Sequence, residues 1–425
     1  MGVAMEIPVP LRRARSALLL VFLVHGVAFA LLVTRIPATQ DQYRLSDAQL
    51  PMFLAAVPIL AGAGSLAASR IVRRIPPYTV VRVIQPVIFL SLVGVGAGDT
   101  MWQLGISLAV FGLLTGAMEA TMNMTGVAIQ RGYGKSIMLR FHGASSLGGI
   151  LGASLAWAGA HWDFSLFALY AGGIALLLPF SLAAGARLGG TPLAPAPAAR
   201  TAAARSEGRK EPWKPLLPLC LVLAVAVVAD STATNWSAKF LEDTLNSSAA
   251  MATVPYSLYM LTTLIGRGFG DRWVQRWGAA AVMRAGALLA ALGFTVIAAA
   301  PGPWAAVFGF AILGGGLSVI IPQVFAVGAH ALPGAPDTAV ARINLFNYVG
   351  FLIGPPLVGA VGAAVSYRVA MCVPLVLVLI VLLAARSLVP PAAVAAAGGG
   401  KPAADPVEPG DPVTAGAPAA PPRSG

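Results

Sequence analysis

Apolar stretches of the roughly 20 residues that a bilayer-spanning helix needs follow one another along this chain from Ser16 almost to Val389. Short polar breaks divide them into twelve segments. Six fall in the first half, at 16–33, 47–69, 80–98, 102–129, 137–160 and 164–184. Six fall in the second, at 216–236, 249–270, 279–300, 304–330, 338–364 and 368–389. The pattern predicts an all-α membrane protein with twelve transmembrane helices. The first segment follows Arg12, Arg13 and Arg15 as a signal peptide's core would. It exceeds such a core in length and leads into further spans, so it reads as a helix.

The halves repeat. Gly64 and Gly266, Arg70 and Arg272, Arg74 and Arg276, and Arg82 and Arg284 all stand 202 positions apart. So do Gly126 and Gly328, Arg140 and Arg342, Gly148 and Gly350, and Gly152 and Gly354. One register held with no net insertion implies a duplicated unit. It predicts two pseudo-symmetric six-helix halves related by an axis along the membrane normal, a transporter architecture. The units are residues 1–184 and 216–389. An Ala/Pro-rich basic linker at 185–215 joins them, and the Pro, Ala and Gly of 390–425 predict a flexible, disordered tail.

Composition agrees: 57% of residues are hydrophobic and only 10% charged, which excludes a water-soluble domain. The net charge of +12 is an orientation signal rather than a sign of nucleic-acid binding. With the N-terminus inside, 24 of the 28 basic residues fall on inner loops, leaving Arg35, Arg44, Lys239 and Arg368 outside. All eight tryptophans fall at predicted span ends, as interfacial belts require. Cys220 and Cys372 lie within spans and say nothing of redox compartment.

No catalytic or cofactor constellation stands out. Gly134-Lys135-Ser136 lacks the first glycine of a phosphate-binding loop, and Gly143-Ala144-Ser145-Ser146-Leu147 lacks the last glycine of a nucleophile elbow. The four histidines are scattered and no metal-ligand spacing occurs. The expectation is therefore no enzyme, no cofactor and no metal.

Carboxylates inside the spans carry more information, because a charge there is costly and usually faces a cavity. Of sixteen acidic residues only Glu119 and Asp230 lie well within spans. Glu119 is ten residues from Ile129 at the inner end of its segment, about 15 Å deep and near the midplane. Burial there would suit it to reversible protonation. The competing reading is a fixed pair with Arg140 or His142, whose depths do not match. Asp230 is about 21 Å up its helix, in the outer third. It faces an outer vestibule or bonds to Ser231 and Thr232. His25, midway along the first segment, is either a proton-relay partner or a neutral histidine bonded to a carbonyl.

These features resemble the major facilitator superfamily. Its inner-loop signature is recognisable at Gly266-Arg267-Gly268-Phe269-Gly270-Asp271-Arg272, with Gly278 beyond. In the first-half copy Ser69 replaces the Asp and Pro76 the glycine. Glu119-Ala120-Thr121-Met122-Asn123 is similar to a string in the fourth helix of the fucose:proton symporter branch. Arg140-Phe141-His142-Gly143 and Ala229-Asp230 through Asn235-Trp236-Ser237 resemble bacterial relatives of that branch. The resemblance implies the major facilitator fold and proton coupling through Glu119; Asp230 and His25 are further proton-coupling candidates by their place within the spans. It implies that Asn123 lies near the substrate; by residue type Gln323, Asn344 and Asn347 are further candidates for a hydroxyl-rich or neutral ligand, with Trp236 beside them, and Asp271, Arg272, Arg140 and Arg342 are the candidates for an inner gate.

The function this predicts is proton-coupled secondary transport of a small neutral, sugar-like solute across the inner membrane, by a monomer with both termini cytoplasmic. Its partners are the solute, protons and the bilayer, without nucleic acid. The carboxylates alone argue for a cavity that disfavours anions. Two alternatives remain open: efflux of hydrophobic neutral or cationic compounds, and a non-transporting membrane sensor.

Overall fold

The computed structural model describes residues 8–72, 74–133, 137–189, 213–332 and 336–388. Among them lie twelve long helices and no strand. The first half contains α1 (Val9–Val33), α2 (Leu50–Ile71), α3 (Pro77–Ala97), α4 (Met101–Tyr133), α5 (Met138–His161) and α6 (Leu166–Gly189). The second contains α7 (Leu217–Lys239), α8 (Val254–Trp277), α9 (Ala279–Ala299), α10 (Pro303–Ala331), α11 (Pro336–Ala364) and α12 (Tyr367–Leu388). Ten are apolar and long enough to cross a membrane on those grounds alone. The other two, α5 and α12, have 24 and 22 residues, ample for the same span. Segments 190–212 and 389–425, most of the predicted linker and tail, lie outside the described residues, as does the Gly134–Ser136 string. The first half's last helix runs on to Gly189, beyond the boundary at 184 expected from the sequence.

Local chemistry sets the helix ends. Proline stands in the first two positions of α1, α2, α3, α7, α8 and α10, where a missing N–H costs nothing. Gly278, at φ 78°, ends α8 and lets α9 begin at the next residue. Its repeat partner Pro76 solves the same junction in extended backbone, at φ −56° and ψ 139°.

The duplication is visible in the packing. In the first half α1 lies on α5 and α6, α2 on α4, and α3 on α4 and α6. In the second half α7 lies on α11 and α12, α8 on α10, and α9 on α10 and α12. The repeated glycines do the same work twice. A methyl group on Gly64 would strike the Leu113 carbonyl of α4, and one on Gly266 would strike Ser318 of α10. Gly148 and Gly152 bring α5 against Leu23 and Val27 of α1. Gly350 and Gly354 bring α11 against Val227 and Ser231 of α7. Such small residues let helix backbones approach closely where no hydrophobic force between helices operates.

The halves touch through α5 on α8 and α2 on α11, which the repeat relates to each other. α1 and α7 are the most deeply buried of the candidate spans. The ends of α6 and α7 that flank the 190–212 segment define one face of the bundle, the linker face; the opposite end is the far face. Trp102 and Trp304 are exposed at the far face, Trp213 and Trp277 at the linker face. Trp236 is an exception to the predicted belts. It is fully buried, over Gly359 and against the Tyr367 ring at 5.5 Å, because α7 continues to Lys239 instead of ending there.

Candidate functional site

Between the halves lies a cavity of about 650 Å³, walled by α1, α2, α4, α5, α7, α8 and α11 with Ile321 of α10. At the far face a charged cluster joins the two halves. The Lys239 ammonium, 3% exposed, lies 3.0 Å from Asp47 and donates to Gln40, both from the first half. A π-helical turn, Phe240–Thr244, follows α7 and brings Asp243 onto the same ammonium. The Tyr367 ring covers the ammonium at 5.3 Å. Toward the linker face, in contrast, Glu119, His142 and Tyr348 are exposed.

Glu119 and His25 come together in this cavity. Glu119 Oε1 is 3.9 Å from His25 Nε2. His25 is 4% exposed and neither ring nitrogen has a hydrogen-bond partner, so the carboxylate is its nearest polar neighbour of opposite character. The expectation that Glu119 is buried fails: its side chain is 56% exposed, because α4 turns it into the open space between the halves. Its partner is on α1, not Arg140. The Asn123 amide, one turn on, donates to the Glu119 carbonyl, and Asn123 lines the cavity.

Asp230 faces the same cavity, so the separate outer vestibule expected from its depth is not what it lines. The Tyr259 hydroxyl of α8 donates to its carboxylate. Ser231 and Thr232 donate instead to the Val228 carbonyl. Sequence reasoning passes over Arg267, which by position belongs with the loop arginines. Yet α8 runs on to Trp277 and places Arg267 in the cavity wall. There its charge reaches Asp230 and His142. The cavity wall thus holds a cation beside its carboxylates, where the sequence implied acids alone.

The other predicted residues divide. Asn344 and Asn347 of α11 line the cavity. Gln323 is buried in α10 and Trp236 in the far-face cluster, and neither reaches the cavity wall. Of the gate residues, Asp271's side chain lies outside those described. Arg272 stacks over the Phe269 ring at 5.7 Å and Arg342 over the Trp213 ring at 4.7 Å, both within the second half. Arg140 is exposed on α5. Among the described residues no group of three His, Cys, Asp or Glu is placed to hold a metal ion.

Among solved structures, a mutant of the nucleoside transporter NupG superposes with a TM-score of 0.72 at 14% identity, over 88% of this chain and 99% of its own. This is the major facilitator fold. A mutant of the E. coli fucose:proton symporter, FucP, superposes with a TM-score of 0.59 at 15% identity, over 88% of this chain and 98% of its own. The Major Facilitator Superfamily model matches residues 219–421. An uncharacterised MFS-type transporter of Yersinia pestis is 28% identical over 382 residues, 85% of this chain and 92% of that one. In sequence and in fold the chain is thus similar to transporters of the major facilitator superfamily.

Proposed function

We propose that the chain is a proton-coupled secondary transporter that moves a small solute across the inner membrane by alternating access, as a monomer with its linker face in the cytoplasm. Glu119 takes and releases the proton, and His25 is its relay partner. The observation that carries this reading is the Glu119–His25 approach of 3.9 Å at a central cavity, where neither ring nitrogen of the histidine has a hydrogen-bond partner. A carboxylate at the edge of a solute cavity can exchange protons with water, and an imidazole next to it can pass the proton on.

The arrangement favours a cycle with one side shut at a time. The far-face cluster closes one end while the cavity reaches the linker face, which fits an inward-facing state. Asn123, Asn344 and Asn347 offer hydrogen bonds to a hydroxyl-bearing solute, the sugar-like class suggested by the sequence.

Reconstituted protein tests the reading. Glu119→Gln mimics the protonated carboxyl permanently, so solute counterflow should persist while uptake driven by a pH gradient collapses. Gradient-driven uptake at the wild-type rate would remove Glu119 from the mechanism.

A further inference from the structure

We infer that Arg267 anchors an anionic group, a carboxylate or a phosphate, on the transported solute. The inference rests on the central cavity being the solute site, as proposed above. Arg267 is ten residues from Trp277, the last residue of α8, which places it about 15 Å from the linker face. A cation at that depth is expensive and is ordinarily paired or set on a solute path. Arg267 forms no ion pair and no hydrogen bond with a described residue, although its guanidinium carries five donors. Asp230 is the acid whose charge reaches it, but that carboxylate is already engaged by the Tyr259 hydroxyl.

The surroundings suit a bound anion. His142 stands across the interface on α5, with Asn344 and Asn347 on α11. A guanidinium presents its donors as a planar fork that matches a carboxylate or phosphate with two parallel hydrogen bonds. Asp230 then acts as a resident competitor: an arriving anion shares the guanidinium with a carboxylate already in the wall.

The test is equilibrium binding to the purified full-length chain in detergent, read by the thermal unfolding midpoint. Benzoate, gluconate and glycerol 3-phosphate are titrated beside their uncharged counterparts benzamide, sorbitol and glycerol. At least one anion should raise the midpoint in a saturable way that its counterpart does not. Carboxylate against phosphate is decided by which anion does so. Arg267→Gln should weaken that binding at least tenfold. Arg267→Lys should weaken it less, since it keeps the charge and loses the fork; it also serves if the glutamine variant fails to fold. Asp230→Asn should tighten it several-fold. The inference is overturned if no anion of the set saturates, if the neutral counterparts act equally, or if Arg267→Gln binds like the wild type. These readouts are independent of flux. Anion binding with normal gradient-driven uptake in Glu119→Gln would sink the proton site and leave the anchor standing, and the reverse pattern would sink the anchor alone.

Discussion

Lys239 reaches across the two halves of the molecule, its Nζ 3.0 Å from Asp47 Oδ1, and is itself almost wholly buried. An ammonium withdrawn from water needs its partners, and this one has Asp47, Gln40 and Asp243. Two of the three belong to the other half, so separating the halves at the far face strips the charge of most of its compensation.

Asp47→Asn should therefore favour the state open at the far face, by on the order of 1 kcal/mol, or roughly fivefold in population, given that Asp47 is half exposed. Spin-label distances across the far face should lengthen. The Gln40 amide, and then Lys239, hold the Asp47 carboxyl below its ordinary 3.8 against the effect of burial. A depressed carboxyl stabilises above its unfolded value and loses the effect as pH falls through its folded one. In a Glu119→Gln, Glu242→Gln background, which also removes the other carboxyl of the turn whose charge reaches Lys239, the far-face distances should thus not change between pH 8 and pH 5. Opening over that range would refute the latch.

The repeated glycines allow a matched experiment. Gly64→Ala should destabilise by about 1–3 kcal/mol, because the new methyl meets the fixed Leu113 carbonyl. Gly266→Ala should cost less, since it meets a serine side chain that has other rotamers. Gly172→Ala, with nothing near it, should be neutral. Thermal unfolding of the three variants orders them; equal values would mean the contacts are not tight.

His25→Leu removes the only polar neighbour within ion-pair reach of Glu119 among the described residues. Gradient-driven uptake should fall about tenfold and its pH profile should shift, while counterflow stays. An unchanged pH profile would make His25 a bystander.

Topology can be checked directly. With Cys220 and Cys372 replaced, single cysteines at Gln42 or Asp163 should react with an impermeant thiol reagent in intact cells. Those at Ser206 and Ala404 should not. Labelling of Ser206 from outside would reverse the orientation drawn from the basic residues.

The helices were legible because hydropathy alone marks a span, and the register of 202 positions named the helix pairs that pack alike. Glu119 was legible as a membrane carboxylate, whereas its approach to His25 was one of two readings open for that histidine, because sequence gives depth in a span but not the facing of two helices. What stayed hidden depended on where helices stop and which way they face. Arg267 looked like a neighbour of Arg272 and Arg276 until α8 proved to extend to Trp277. Trp236 looked interfacial until three more residues of α7 and a π-helical turn enclosed it. Gln323 is buried away from the cavity wall, a matter of helix rotation that a lone polar residue in an apolar run does not disclose. The partnership of Lys239 with Asp47 joins two loop-adjacent charges, each ordinary by itself.

The repeat also separates two kinds of charge. Arg70, Arg74, Arg82 and Arg140 all recur as arginines in the second half. The cavity charges do not: Glu119 corresponds to Ile321, Arg267 to Ser65, His25 to Val227 and Asp230 to Ala28. The ancestral unit thus bequeathed its anchoring charges to both descendants, whereas each descendant acquired its interior chemistry alone. A symmetric scaffold has in this way become a lopsided machine, with the acid–imidazole pair riding on one half and the guanidinium on the other. Any rocking between the halves must change the distance between them.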